Sequence, residues 1–379
     1  MTPGTVLITI GRLPKALDFA RAFHAAGWTV IVAEPFRHHL TGASNSVAKR
    51  HVTPAPSAGK AAYLEALKQI VVEEGVDLVL PLSEETMHVA HLRDGLPAGV
   101  NVYAPPIEKL LALHDKARFA ALAASLGLAV PRTAVLGSAE AKTLAETSDY
   151  VVKPTLSCSG RGIVFGRAGT TPCPGSADAH QIVQQQIRGP HFSTFSIAHG
   201  GRVSVTVIYR GLVMSGTVAV AFERVEHAAI AAWVDAFVER TGHTGFISFD
   251  FIVDSEGLPQ AIECNPRVTS GVHFIETQDL AASTLDPAAP PPRLRATREM
   301  QQFYPTLTET QGSVFQPARF GPNLATLIRA KDVSWSAADP WPFVTMPLTS
   351  LQIIVSAIRE GRSFGEVSTR DISWFEDTG

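Results

Sequence analysis

Cysteine is scarce in this chain: three residues, Cys158, Cys173 and Cys264, in 379, with no CxxC pair among them. An odd trio at such spacings suggests neither a disulfide framework nor a thiolate zinc site. Charge of one sign is lacking too, since 32 Lys and Arg stand against 35 Asp and Glu for a formal charge of −3. Nucleic acid and anionic membrane surfaces are therefore not expected partners. No apolar run approaches the ~18 residues of a spanning helix. The opening MTPGTVLITIG has no basic n-region and too short an apolar run for a signal peptide. A cytoplasmic enzyme is the expectation. Several motifs are missing as well. After TVLITI comes GRLPKA, one glycine where a dinucleotide fingerprint needs three. No G-x-S-x-G elbow occurs.

What remains is a globular composition, 45% apolar and 18% charged, with room for two or three domains. In the N-terminal third, TVLITI, WTVIVAE, VDLVLPL and NVYAPP read as strands. Helices are expected at Pro14 to Ala26, around Ala61–Glu74 and from Glu84 to Leu92. Strands alternating with helices predict a parallel sheet with helices on its faces. A new module begins at His114: Asp115 is an N-cap, Lys116 to Leu126 carries apolar residues at helical spacing, and Gly127 falls at C′. A strand-rich segment from Tyr150 to about Val220 follows, then a helix near His227–Thr241. After Arg267 come a proline-rich connector at Asp286–Pro292 and a tail with one expected helix at Leu351–Glu360.

The densest chemistry lies in Ser248 to Arg267, SFDFIVDSEGLPQAIECNPR. Glu256-Gly257 reads as a two-residue hairpin loop. Counting outwards pairs Ser255 with Leu258 and sets Asp250 opposite Glu263, with Asn265 on the same face as Glu263. Phe249, Phe251, Val253, Ile262 and Cys264 fall on the other face, towards a core. Like charges directly opposite are destabilising, so two carboxylates and an amide placed together predict a hard cation. Magnesium prefers a few protein oxygens plus substrate phosphates, which points to a nucleotide.

Upstream, the strand Tyr150-Val151-Val152-Lys153-Pro154 runs into Thr155 to Gly162, a loop of small residues. Such loops let backbone N–H groups surround phosphate oxygens, and Lys153 would add a point charge. No GK[ST] opens a helix here, so this is not a P-loop. Lys116 stands in the first turn of its helix, where an anion would meet both dipole and ammonium.

In order, these motifs are a lysine opening a helix, a lysine–proline strand with a small-residue loop, a hinge, and a D…E-C-N-P-R hairpin. The chain resembles ATP-grasp enzymes over roughly Val6 to Gly271, and in particular the carboxylate–amine ligases and carbamoyl-phosphate-synthetase-like proteins. The resemblance implies an α/β and α+β architecture: an N-terminal parallel-sheet pre-ATP-grasp domain (1–113), then a two-lobed ATP-grasp fold, with a small lobe at 114–190 and a large lobe at 191–379. By position, Lys116 and Lys153 match the lysines that hold ATP phosphates. The phosphate flap maps to 157–162, with Ser157, Ser159, Gly160 and Gly162 as its contacts. Asp250, Glu263 and Asn265 match the magnesium ligands, and Arg267 matches an arginine that stabilises the reacting phosphate. In the hinge, aligning on Gly189-Pro190 puts Gln184 where relatives carry an acid, Gln186 and Ile187 at the pair offering backbone to adenine, and His191 at the ribose position. Ser270, Gly271 and His273 follow the metal hairpin directly, where a substrate carboxylate or phosphate could sit; Arg202, Arg210 and Arg224 are further substrate candidates.

The implied activity is ATP-dependent ligation of a small carboxylate to an amine through an acyl phosphate, with Mg2+ or Mn2+ and, as is usual in such relatives, a homodimer. Two rival readings stand beside it: a bicarbonate-dependent carboxylase working through carboxyphosphate, and a nucleotide-binding protein without turnover. His88 and His91, three apart beside Glu84 and Glu85, are expected to be an amphipathic helix surface rather than a metal site.

Overall fold

The computed structural model describes residues 3–156, 162–175, 180–361, 367 and 369–374. In chain order it has β1 (Thr5–Ile8), α1 (Pro14–Ala25), β2 (Thr29–Glu34), β3 (Lys49–Val52), α2 (Lys60–Glu73), β4 (Leu78–Leu80), α3 (Thr86–Val89) and β5 (Asn101–Val102). Next come α4 (Ile107–His114), α5 (Lys116–Ser125), β6 (Thr133–Val135), α6 (Ala139–Thr147), β7 (Tyr150–Pro154), β8 (Val164–Gly166), β9 (Gln181–Gln185), β10 (His191–His199) and β11 (Arg202–Ser215). They are followed by β12 (Val218–Val225), α7 (Ala228–Thr241), β13 (Gly245–Val253) and β14 (Pro259–Asn265). The last elements are α8 (Thr277–Leu285), β15 (Glu299–Gln301), α9 (Phe303–Gly312), α10 (Pro317–Arg329), β16 (Lys331–Asp332), α11 (Trp341–Thr349) and α12 (Leu351–Glu360). Two compact units result. The first comprises Met1–Pro106, Tyr209–Val225 and Arg267–Gly379; the second comprises Ile107–Ile208 and Glu226–Pro266.

In the first unit, a parallel sheet has the order β3-β2-β1-β4-β5. Val6, Leu7 and Ile8 of β1 are fully buried, which is why this strand reads as an unbroken apolar run rather than an alternating one. Pro14 opens α1, where its fixed φ suits the first turn, and α1 packs on α8. The expected helix at Glu84 to Leu92 is shorter: one α-turn from Thr86 to Val89 passes into a 3-10 stretch ending at Gly95. Strands β12, β15 and β16 pair in that order. Among the described residues, Trp341–Arg359 is the one stretch apolar and long enough to cross a membrane by length and composition, with mean hydropathy 1.4. Residue-by-residue reading passes over it because Thr345, Thr349 and Ser350 interrupt the apolar run, and α11 gives way to α12 at Ser350.

The second unit has two sheets. A four-stranded sheet, order β6-β9-β7-β8, is antiparallel throughout, with Leu144 of α6 and Val152 and Val183 of the sheet in its core. In the other sheet, β14, β13 and β10 are neighbours in that order. Beneath it lies an aromatic core. Trp233 and Phe237 of α7 stack with ring centroids 5.4 Å apart, and each meets Phe249 edge-on at 5.1 and 5.0 Å. Phe119 of α5 completes the group, 5.9 Å from Phe237. Edge-to-face pairs of this kind add ~1 kcal/mol each beyond their area. The inward face of β13 is thereby fixed, and with it the outward face that carries the chemistry.

Candidate nucleotide and metal site

The hairpin β13–β14 brings Asp250 opposite Glu263 and Ser248 opposite Asn265. The loop joining them differs from the expected two-residue turn. Three residues, Ser255 to Gly257, form the tip, with Asp254 N–H donating to the Leu258 carbonyl and Gly257 N–H to the Asp254 carbonyl. Gly257 takes φ +82°, the left-handed position that three-residue hairpin loops assign to glycine. Pairing near the tip is therefore Val253 with Pro259 and Phe251 with Ala261, and the register shifts between Asp250 and Phe251. Ile262 is the extra residue of that bulge. The longer loop and the bulge offset each other, so Asp250 and Glu263 face one another as counted. One core assignment changes: Ala261 is buried at 1% exposure, whereas Ile262 is half-buried.

A bulged residue leaves the regular ladder, and the Ile262 carbonyl accepts a hydrogen bond from Lys153 Nζ at 3.1 Å. Lys116 Nζ lies 3.4 Å from Glu263 Oε2. Both lysines are buried. Helix α5 starts where the sequence predicts, because Asp115 accepts from the N–H groups of Ala117 and Arg118, and Lys116 N–H donates to the Thr155 carbonyl at the end of β7. Burial, and then the nearby charge of Lys116, push the Lys153 ammonium down to about 8, against the pull of Glu263 and Asp250. A pair of buried ammonium groups suits a polyanion.

Asp250 is held from two sides. Ser193 Oγ, directly across on β10, donates to its Oδ1 at 2.5 Å, and Asn265 Nδ2 donates to its Oδ2 at 3.1 Å. Among the described residues no group of three His, Cys, Asp or Glu side chains gathers to hold a metal. The hairpin instead offers two carboxylates and an amide, which fits a magnesium ion that brings phosphate oxygens with it. Asp250, Glu263 and Asn265 are the residues that would hold it.

The hinge is built from strand-end backbone. Gln184 is buried in β9, and its Nε2 donates to Thr133 Oγ1 at 2.9 Å. Gln186 N–H donates to the Asp149 carbonyl, so this backbone amide is already engaged. Ile187 follows it, half-buried. His191 is exposed at the start of β10, paired with Ile252. Gly189 is forced: a Cβ there would lie 1.8 Å from the Val253 carbonyl oxygen. Of the flap, Gly162 is described, at φ +72° and against Pro154; Ser157, Ser159 and Gly160 lie outside the described residues.

Arg267 and the substrate candidates belong to the first unit. There the Arg267 guanidinium pairs with the buried Glu84 carboxylate at 2.5 Å. Ser270 to Phe274 form a short 3-10 turn in which Gly271 and His273 are buried. His273 Nδ1 lies 2.6 Å from Asp18 Oδ2, and its ring stacks on Phe222 at 5.6 Å. Lys15 Nζ donates to the Val268 carbonyl. Arg210 is bound to Glu223. The sequence reading missed Ser193, Glu84 and Asp18. Ser193 was within reach of strand alternation alone, since it lies on the same face of β10 as Asp250's side of β13.

A model of the ATP-grasp domain matches residues 113–271, and comparison with curated protein sequences finds no match. Solved structures with the same fold include N5-carboxyaminoimidazole synthetase from Staphylococcus aureus in complex with ADP. It has TM-score 0.62 and 15% identity, over 80% of this chain and 82% of that one. L-amino acid ligase from Bacillus licheniformis has TM-score 0.59 and 18% identity, over 78% of each chain. The biotin carboxylase domain of 2-oxoglutarate carboxylase from Hydrogenobacter thermophilus, solved with MgADP and bicarbonate, has TM-score 0.58 and 16% identity, over 73% of this chain and 66% of that one, just under two thirds of its length. The chain thus carries an ATP-grasp domain at residues 113–271, and it shares the fold of these solved structures.

Proposed function

We propose that this chain is an ATP-dependent ligase that activates a small carboxylate as an acyl phosphate and couples it to an amine, releasing ADP and phosphate. One observation carries the reading: Asp250 and Glu263 are opposed on one hairpin, with Asn265 bonded to the first and Lys116 to the second. In this reading Lys116 and Lys153 bind the phosphates of ATP, and Asp250, Glu263 and Asn265 hold magnesium, which when bound neutralises developing charge. Catalysis of phosphoryl transfer is mostly positioning and electrostatics, and a buried lysine pair supplies both. Gln186 and Ile187 present backbone to the base, with Gln184 beside them, and His191 is the ribose contact. Ser157, Ser159, Gly160 and Gly162 form the flap that excludes water. Arg267, two residues beyond Asn265 in the chain and held by Glu84, is the group for the acyl phosphate; its planar fork suits that anion. Ser270, Gly271 and His273 are assigned to the substrate side. The reading also takes the enzyme to be cytoplasmic and, in solution, a homodimer.

The test is phosphate release from Mg-ATP with pooled carboxylates crossed against pooled amino acids, with bicarbonate in a separate arm. The ligase reading expects release only when both pools are present. Release driven by bicarbonate alone would replace it with a carboxylase, and ATP binding without release in any arm with a non-catalytic protein. Glu263→Gln is expected to keep the circular-dichroism spectrum and lose ATP turnover by at least ~100-fold; near-normal turnover would sink the metal assignment.

A further inference from the structure

In the first unit the strand order β3-β2-β1-β4-β5 reverses direction between β1 and β4. Open parallel sheets bind ligands at such a reversal, in the crevice outside the carboxyl ends of the strands. Here the chain's own segment 369–374 lies along that edge. Arg12, in the loop after β1, donates from both terminal nitrogens to the Asp371 carboxylate, at 2.8 and 2.9 Å. Ser57 N–H, beyond β3, donates to the Asp371 carbonyl. His88, beyond β4, lies 3.1 Å from the Ser373 carbonyl through Nε2. Ile372 is buried at 1% exposure, and Trp374 packs on His88 and His91 with centroids 5.1 and 5.9 Å away. Of the two histidines expected on a helix surface, His88 is thus buried beneath a tryptophan nearly 300 residues downstream, while His91 stacks on the same ring and stays exposed.

Arg12 is prepared for its partner from within the sheet. Glu34 Oε1 takes Nε at 2.8 Å, while Glu34 Oε2 accepts the N–H groups of Gly11 and Arg12. The ring of Phe36 lies 3.9 Å from the guanidinium carbon. One edge and one face are therefore fixed, and the other edge presents a two-nitrogen fork, the arrangement that binds a carboxylate bidentately. The Arg12 side chain is 1% exposed and that of Asp371 23%, so the carboxylate side of the pair opens to solvent. The docked state also carries a cost: the Trp374 indole N–H is buried and has no hydrogen-bond partner among the described residues.

We propose that Arg12 is a receptor for the carboxylate of a small acid, and that segment 369–374 is a displaceable plug in which Asp371 stands in for the ligand. An entering carboxylate exchanges for Asp371 with no change of charge at Arg12, and release frees the Trp374 N–H to water. The proposal is independent of the ATP reading, and neither measurement below involves ATP.

The test uses the full chain. Asp371→Ala empties the fork and is expected to lower the melting temperature. Acetate should restore it saturably, whereas chloride at equal ionic strength should not. In the double variant Arg12→Gln/Asp371→Ala the acetate effect should vanish. In the wild-type chain, succinate at saturation should speed hydrogen exchange at the amides of 371–373 several-fold, a readout that survives if the variants fail to fold. Acetate acting no better than chloride, or equally in the double variant, overturns the receptor. Unchanged exchange under succinate overturns the displaceable plug. A phosphate arm matching acetate overturns the carboxylate class.

Discussion

Lys153 is held in a position that costs the unliganded protein stability, and Lys153→Met should reveal it. Burial, followed by the charge of Lys116, moves the ammonium from the ordinary lysine value of 10.5 to about 8. At pH 7 that depression corresponds to ~3 kcal/mol of lost folding free energy. Methionine fills a similar volume without charge but gives up the hydrogen bond to the Ile262 carbonyl, worth ~1 kcal/mol. A net gain of ~2 kcal/mol remains, or ~4–8 °C in melting temperature for domains of this size. The sign with pH follows from the two protonation states. Between pH 8 and 10.5 the unfolded chain keeps the proton that the folded one loses, so this group's contribution to wild-type stability rises through that window. The advantage of Lys153→Met should then be largest below about pH 8 and disappear towards pH 10.5. ATP affinity should move the other way, falling ~10–100-fold through loss of a charge-assisted contact to phosphate. Differential scanning fluorimetry from pH 7 to 10.5 and calorimetry with ATP measure the two effects. A variant less stable than wild type at pH 7, or one that binds ATP normally, would refute the reasoning.

Further outcomes follow from the same geometry. Ser193→Ala removes the hydroxyl that orients Asp250 and should raise the magnesium concentration needed for half-maximal ATP turnover by ~10-fold, with the melting temperature nearly unchanged. Gly189→Ala places a carbon 1.8 Å from the Val253 carbonyl oxygen and should cost ~2–4 kcal/mol by denaturant titration; a cost within experimental error would show that the hinge can move aside. His191→Ala should weaken ATP but leave inorganic triphosphate binding unchanged, and an equal loss for both would end the ribose assignment.

The sequence was most legible where a local rule acts on a local pattern. Asp115 caps α5 because its side chain reaches backbone two and three residues on, and the buried run at Val6 to Ile8 announces a parallel strand by composition alone. Asp250 and Glu263 fall opposite each other as counted only because the longer tip and the bulge at Ile262 offset each other. The hairpin tip was misjudged by one residue, since Glu256-Gly257 matches a two-residue turn as well as the end of a three-residue one. Nothing local records the bulge at Ile262, whose off-ladder carbonyl is taken by a lysine 109 residues away. Glu84 and His88 were equally opaque. Their polar character suits a solvated helix face, and only chain returning at Arg267 and at Ser373 and Trp374 covers them. The three-dimensional unit also draws on separated stretches of chain, which no window along the sequence reveals.

The hairpin's two irregularities do different jobs. The three-residue tip sets where pairing begins, with Asp254 and Leu258 joined across it, and the bulge stores one residue between Ala261 and Glu263. Deleting Ile262 would let Glu263 follow Ala261 directly and still face Asp250, while taking away the carbonyl that steadies Lys153. That single deletion should therefore separate the support of Lys153 from the opposition of the two carboxylates.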